Sequence, residues 1–142
     1  MYEYLDRPLG ALAARDRLLL WAMRRWVASA SGGRCPCGVI GPALAAQGLS
    51  HLLPDLNMAM MALNADGQGR LRFAPPCFGR VADDEARLLA LFAAEDVALA
   101  RRLAAQLVRP EAIATLATAA GLIAAELAAT PLTWNVSDAE ER

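Results

Sequence analysis

Three cysteines and a single histidine are the residues with the most chemical potential in this chain. Cys35 and Cys37 lie in the stretch Gly-Arg-Cys-Pro-Cys-Gly, His51 follows, and Cys77 stands apart. Three thiols and one imidazole would fill a tetrahedral zinc site, because zinc takes four N or S donors. Structural zinc sites usually supply cysteines as C-x₂₋₄-C pairs, whereas this pair is C-x-C with Pro36 between, and His51 and Cys77 come singly. A thioredoxin-type redox pair needs C-x-x-C at a helix start inside a βαβ pattern, which is missing here. Adjacent-but-one cysteines would also close a strained ring. The spacing therefore favours a turn built by Gly33, Pro36 and Gly38, with thiols packing as small apolar groups.

A second candidate is the loop Gly-Arg-Leu-Arg-Phe-Ala-Pro-Pro-Cys-Phe-Gly-Arg. Between Gly67 and Ala82 no acidic residue occurs, and Arg70, Arg72 and Arg80 flank Cys77. Guanidinium groups lower a thiol pKa and also hold phosphate or carboxylate, so Arg70, Arg72, Cys77 and Arg80 form the candidate ligand- or anion-binding set. A cysteine nucleophile also needs a base, and His51 has no sequence relation to it. Read plainly, this is a solvated basic loop with Phe73, Pro75 and Phe78 tucked inward.

The segment from Leu71 to Ala94 resembles a family of uncharacterised helical proteins from alphaproteobacteria. The Ala-Pro-Pro-Cys turn, the acidic helix start and the Leu/Ala helix carry the likeness. It implies an all-helical domain without catalytic residues and singles out Cys77. The Cys-Pro-Cys-Gly stretch is not part of that pattern.

The elements that must position these residues read as helices. A first long pattern runs from Pro8 and Leu9 to about Ser29, with Leu19, Leu20, Met23, Trp26 and Val27 on one broad face. Trp21 points elsewhere, one turn from Arg17 and Arg24. Ser29 to Gly38 reads as a loop, and Gly41 and Pro42 start the next helical region. Pro54 interrupts it, and a further segment runs from Asp55 to Ala65. Met23, Met58, Met60 and Met61 are expected as core filling. Asn64 to Gly69 reads as a turn, and residues 70–76 as a short extended connector. Asp83 is the expected N-cap of the next helix, with Asp84 and Glu85 in its first turn. A pattern from Val97 to Val108 follows, separate from or continuous with it. Pro110 opens the last helix, which ends near Thr130. There Ile113, Leu116, Ile123 and Leu127 form a heptad-like seam.

The expectation is an all-α, single-domain bundle of about five helices, spanning 1–142 with a flexible acidic tail at about 132–142. The core would join Leu19, Met23, Trp26, Leu88, Phe92, Leu99, Leu103, Ile113, Leu116 and Ile123. A 142-residue chain buries roughly 70% of its unfolded surface, so neither a metal nor a disulfide is required for a core. The net charge of −1 and pI near 5.8 argue against nucleic-acid binding. All 14 basic residues are arginine, which with the alanine excess reads as a GC-rich bacterial source. The uncharged run Ala112 to Ala125 is shorter than the ~20 residues of a membrane span, so no membrane partner is expected. No signal peptide is read at the N-terminus, which suggests the cytoplasm and reduced thiols.

The functional expectation is a non-catalytic interaction or regulatory module, homodimeric, with an unidentified protein partner possible and no cofactor. Trp21, Arg24, Ile113, Leu116 and Ile123 are the expected interface residues. The alternative is a thiol- or metal-dependent protein using Cys77 with Cys35, Cys37 and His51.

Overall fold

The computed structural model describes residues 4–66 and 71–132. Arg70, residues 67–69 of the expected turn, Trp134 and the expected acidic tail lie outside the described residues. Six α-helices follow one another: α1 Ala14–Ser31, α2 Pro36–Ala46, α3 Leu52–Asp66, α4 Asp83–Phe92, α5 Val97–Ala105 and α6 Ile113–Ala129. Short 3-10 turns at Leu9–Ala11 and Pro110–Ala112 lead into α1 and α6. Among the described residues there is no β-strand, so the all-α expectation stands, with six helices rather than five.

Apolar burial decides the arrangement. α6 packs on α3, α4 and α5, while α1 packs on α2 and α4, and α2 on α3. The helices thus close a circuit around one core that includes Leu18, Leu19, Met23, Leu44, Leu56, Leu88, Phe92, Leu116 and Ile123. Of the ten expected core residues, Leu99, Leu103 and Ile113 are half-buried and the rest are buried. Helix α6 with its lead-in, Pro110–Ala129, is long and apolar enough to cross a membrane by length and composition. Its large side chains Leu116, Ile123 and Leu127 are nevertheless buried in the chain's own core.

The breaks between helices have local causes. α1 ends at Gly32, and Gly33 takes φ 74°. The Arg34 amide donates to Ser29 O at 2.8 Å and the Gly33 amide to Ala30 O at 3.2 Å. α2 ends the same way: Gly48 takes φ 74°, and Leu49 N donates to Leu44 O at 2.8 Å. This paired closure needs a residue tolerant of left-handed backbone, which explains glycine at both positions. Asp96 separates α5 from α4 as an N-cap, accepting from Leu99 N at 2.8 Å, so the two C-terminal patterns are not continuous.

Three expected boundaries shift. α2 starts at Pro36, not at Gly41, so the Cys-Pro-Cys stretch is a helix start rather than a free turn. Pro36 suits the first position, where an amide hydrogen has no intrahelical partner anyway. Pro42 then lies inside α2, leaving the Gly38 carbonyl without its donor, and both residues are exposed to water. Pro54 falls in the first turn of α3 and does not break it. The N-cap of α4 is Ala82, with Asp83 the first helical residue.

Candidate functional site

Two regions carry the sequence-derived candidates, and the first is organised by a buried ion pair. Arg24 on α1 and Glu85 on α4 are 2% and 0% exposed. Arg24 Nε and Nη2 donate to the two Glu85 carboxylate oxygens at 2.8 and 2.9 Å. The same guanidinium donates to Phe78 O at 2.7 Å and Arg80 O at 2.6 Å. Glu85 in turn accepts from Ala74 N at 3.0 Å and Ala82 N at 2.9 Å. Four backbone groups of the loop 71–82 are therefore fastened to one pair of side chains. A fork of planar donors against a carboxylate makes such bidentate pairing strong. Arg24 was expected at an interface; it is corrected to an interior residue whose donors hold this loop. Glu85 was expected only as a first-turn acid, and its inward role escaped sequence reasoning.

The N-terminal segment fastens the other side of the loop. Leu9 N donates to Gly79 O, Asp6 N to Val81 O and Val81 N to Arg7 O, each at 3.0 Å. Pro8 and Arg80 form an antiparallel bridge. The extended pairing thus lies at residues 79–81, while residues 71–75 of the expected connector have no regular structure.

This geometry weakens the anion site expected there. Arg80 Nη1 donates to Asp6 O at 2.7 Å and lies 3.9 Å from the Asp6 carboxylate. The Arg72 amide donates to Asp84 Oδ2 at 2.7 Å, and Arg87 pairs with Asp84 Oδ1 at 2.9 Å. The adjoining pocket, about 630 Å³, is lined by Arg72 and Arg87 but equally by Asp6, Asp83 and Asp84. Carboxylates brought in from outside the loop cancel the basic character that its own sequence suggests. Cys77 is exposed, and Phe78, 43% exposed, lies under the Arg24 guanidinium with 5.8 Å to the ring centroid.

The thiols and the imidazole do not form one cluster. Cys35 is the exposed N-cap of α2. Cys37 is half-buried, with Sγ 3.8 Å from Asn57 Oδ1. His51 is exposed, and its neighbours in charge are Glu126 and Asp55. Among the described residues no three of His, Cys, Asp and Glu gather into a group that could hold a metal ion. The set Cys35, Cys37, His51 and Cys77 is thereby corrected: it is not brought together as a ligand sphere.

The second region is a groove between α3 and the start of α6. It encloses about 600 Å³ and is lined by Pro54, Met58, Met61, Ala62, Ala65, Ala112 and Thr115, with Asn57 and Glu111 supplying its polar atoms. Met23 and Met60 fill the core as expected, but Met58 and Met61 are 46% and 56% exposed. Asn57 orients this wall. Its Oδ1 accepts from Trp26 Nε1 at 3.0 Å, and its Nδ2 donates to Met61 Sδ at 3.5 Å. Met58 and Met61 are three residues apart on α3, and Met60 lies on the opposite, buried side. Their spacing from Pro54 and Ala65 follows the helical repeat, so the face was present in the sequence but indistinguishable from a core face.

No protein family, curated protein or solved structure matches this chain.

Among the residues expected at an interface, Leu116 and Ile123 are fully buried within the chain and are corrected to core residues. Ile113 is half-buried against the same core. Trp21 is half-buried, and Arg25 stacks over its ring at 6.0 Å.

At the far end of the α3/α6 contact, Glu126 lies beside Asp55. Burial first, and then the neighbouring Asp55 carboxylate, push the Glu126 carboxyl above its ordinary value, with His51 acting weakly in the opposite sense. Since Asp55 meets Glu126 while Ala62 and Ala65 share the groove with Ala112 and Thr115, the two helices run antiparallel.

Proposed function

We propose that this chain is a non-catalytic cytosolic interaction module that receives a partner protein in the α3/α6 groove. The observation that carries the reading is the pair of exposed thioether side chains, Met58 and Met61, on the wall of an open apolar groove. Large apolar side chains exposed together mark contact surfaces more often than isolated ones do. Methionine suits such a surface because its unbranched chain repacks around different anchors. Arg80 of the Cys77 loop is engaged with the Asp6 carbonyl and carboxylate, and the loop's own carbonyls are held by Arg24, which favours a structural role for that loop over an anion site.

A photo-crosslinking side chain at position 61, compared with one at the exposed Arg101 on α5, tests the reading in cells. A discrete crosslinked protein at 61 alone is expected. Identical patterns at both positions would remove the groove from consideration.

Self-association is a second reading, favoured by Val97. It is 71% exposed at the edge of a cleft of about 250 Å³ walled by Ala100, Ala117, Ala120, Gly121 and Ala124. Light scattering after size exclusion decides it, since a monomer at all concentrations ends the dimer.

A further inference from the structure

We infer that the α3/α6 groove is shaped and charged for a basic amphipathic helix of the partner protein. The inference rests on the interaction-module reading and adds the partner's chemistry.

The groove floor supplies an apolar contact of the kind that receives helix anchors at i, i+3, i+4 and i+7. Charge settles what must flank those anchors. The chain contains 14 arginines, yet α3 and the stretch Pro110–Ala129 contain none. Their ionisable residues are all acidic: Asp55 and Asp66 in α3, Glu111 and Glu126 in the other. Glu111 lines one end of the groove, and the neighbouring Asp55 and Glu126 stand at the other end of the same helix pair. The nearest bases along the chain are His51, just before α3 and beside Glu126, and Arg109, just before the lead-in to α6. Glu111 and Glu126 are on the order of 20 Å apart at helical rise. A partner helix of about four turns would lay apolar anchors over Met58 and Met61 and bring a basic residue to each end.

The same charges argue against two other occupants. A second copy meeting this face about a twofold axis would set carboxylates against carboxylates, with no base on either helix to relieve them. An anionic lipid surface meets the same repulsion.

The test uses the full chain and two synthetic helical peptides of about five turns (~18 residues) with identical leucine anchors. One peptide carries arginine at both ends and the other glutamate. By fluorescence anisotropy the basic-ended peptide should bind at least about tenfold more tightly, lose that advantage as salt rises, and be weakened about tenfold by Met61→Arg or Glu111→Arg. Equal binding of both peptides would overturn the basic-partner inference while leaving the groove as a docking site. Binding that ignores Met61→Arg would overturn both, because the peptide would then sit elsewhere. Binding of neither peptide overturns the inference alone, and the crosslinking comparison then decides the groove. Self-association of the chain abolished by Met61→Arg, or binding to anionic vesicles in place of the peptide, would assign the face to a second copy or to lipid instead.

Discussion

Replacing Glu85 by glutamine removes one charge while keeping shape, and the hub around Arg24 sets the consequence. Each Glu85 oxygen accepts from one Arg24 nitrogen and one backbone amide: Oε2 from Arg24 Nε and Ala74 N, Oε1 from Arg24 Nη2 and Ala82 N. Whichever way the new amide turns, its NH₂ faces two donors. One charge-assisted bond and one backbone bond are lost in either orientation, and a guanidinium 2% exposed is left without a counter-charge. Breaking one partner of a buried pair costs about 3–5 kcal/mol, a large part of a stability of about 5–15 kcal/mol. The expected fall in Tm is roughly 10 °C, at about 2–4 °C per kcal/mol for a chain near this size. Urea and thermal unfolding followed by circular dichroism measure it, and a loss under about 1 kcal/mol would refute the reasoning. The double variant Arg24→Met with Glu85→Met sharpens the test. An isolated buried ion pair can be exchanged for apolar residues at little cost. Here the exchange also strips partners from Ala74 N, Ala82 N, Phe78 O and Arg80 O, so the double variant should stay destabilised and its loop should exchange amide hydrogens faster. Recovery to the parent Tm would show that the backbone bonds contribute nothing.

Further perturbations give expected outcomes of their own. Because the Glu126 carboxyl is raised above its ordinary value of about 4.5, the folded chain binds that proton more tightly than the unfolded one. Its contribution is full below about pH 4.5 and is lost as pH rises through the higher folded value; the urea midpoint of the parent should fall relative to Glu126→Gln across that rise, and parallel curves would refute it. Gly48→Ala meets no atom within 4 Å but forces a side chain onto φ 74°, so it should cost about 1 kcal/mol. Gly121→Ala, also unobstructed but inside α6, should gain about 0.5–1 kcal/mol, and the pair is checked by urea unfolding. Asn57→Ala removes the acceptor for Trp26 Nε1 and should cost about 1–2 kcal/mol while changing tryptophan emission.

The helices themselves were legible because burial imprints its period on the chain. Ile113, Leu116, Ile123 and Leu127 announce the inner face of α6, and the structure buries three of them with Ile113 half-buried. What they bury against was not legible: the same spacing serves a dimer seam or a monomer core. The Arg24–Glu85 pair spans 61 positions, and each member has an adequate local reading, Arg24 as a surface base beside Trp21 and Glu85 as a dipole-favoured first-turn acid. Counting charges along the loop 67–82 failed for a related reason, since Asp6, Asp84 and Glu85 arrive from outside the window. The start of α2 was obscured because glycines and prolines that suit a loop also suit a helix terminus. Met58 and Met61 carried no mark to separate them from the buried Met60.

The hub also imposes an order on how the chain can be made. Arg24 leaves the ribosome 61 residues before the carboxylate that neutralises it. At about 5–20 residues per second, α1 waits roughly 3–12 s with a cation on a face otherwise shaped for burial. During that interval the N-terminal half cannot close over α1 without trapping an unpaired charge, so its docking is deferred until α4 emerges. Synthesis halted before residue 85 should therefore yield a nascent chain that proteases cut freely, and release of α4 from the exit tunnel should be the step that confers resistance.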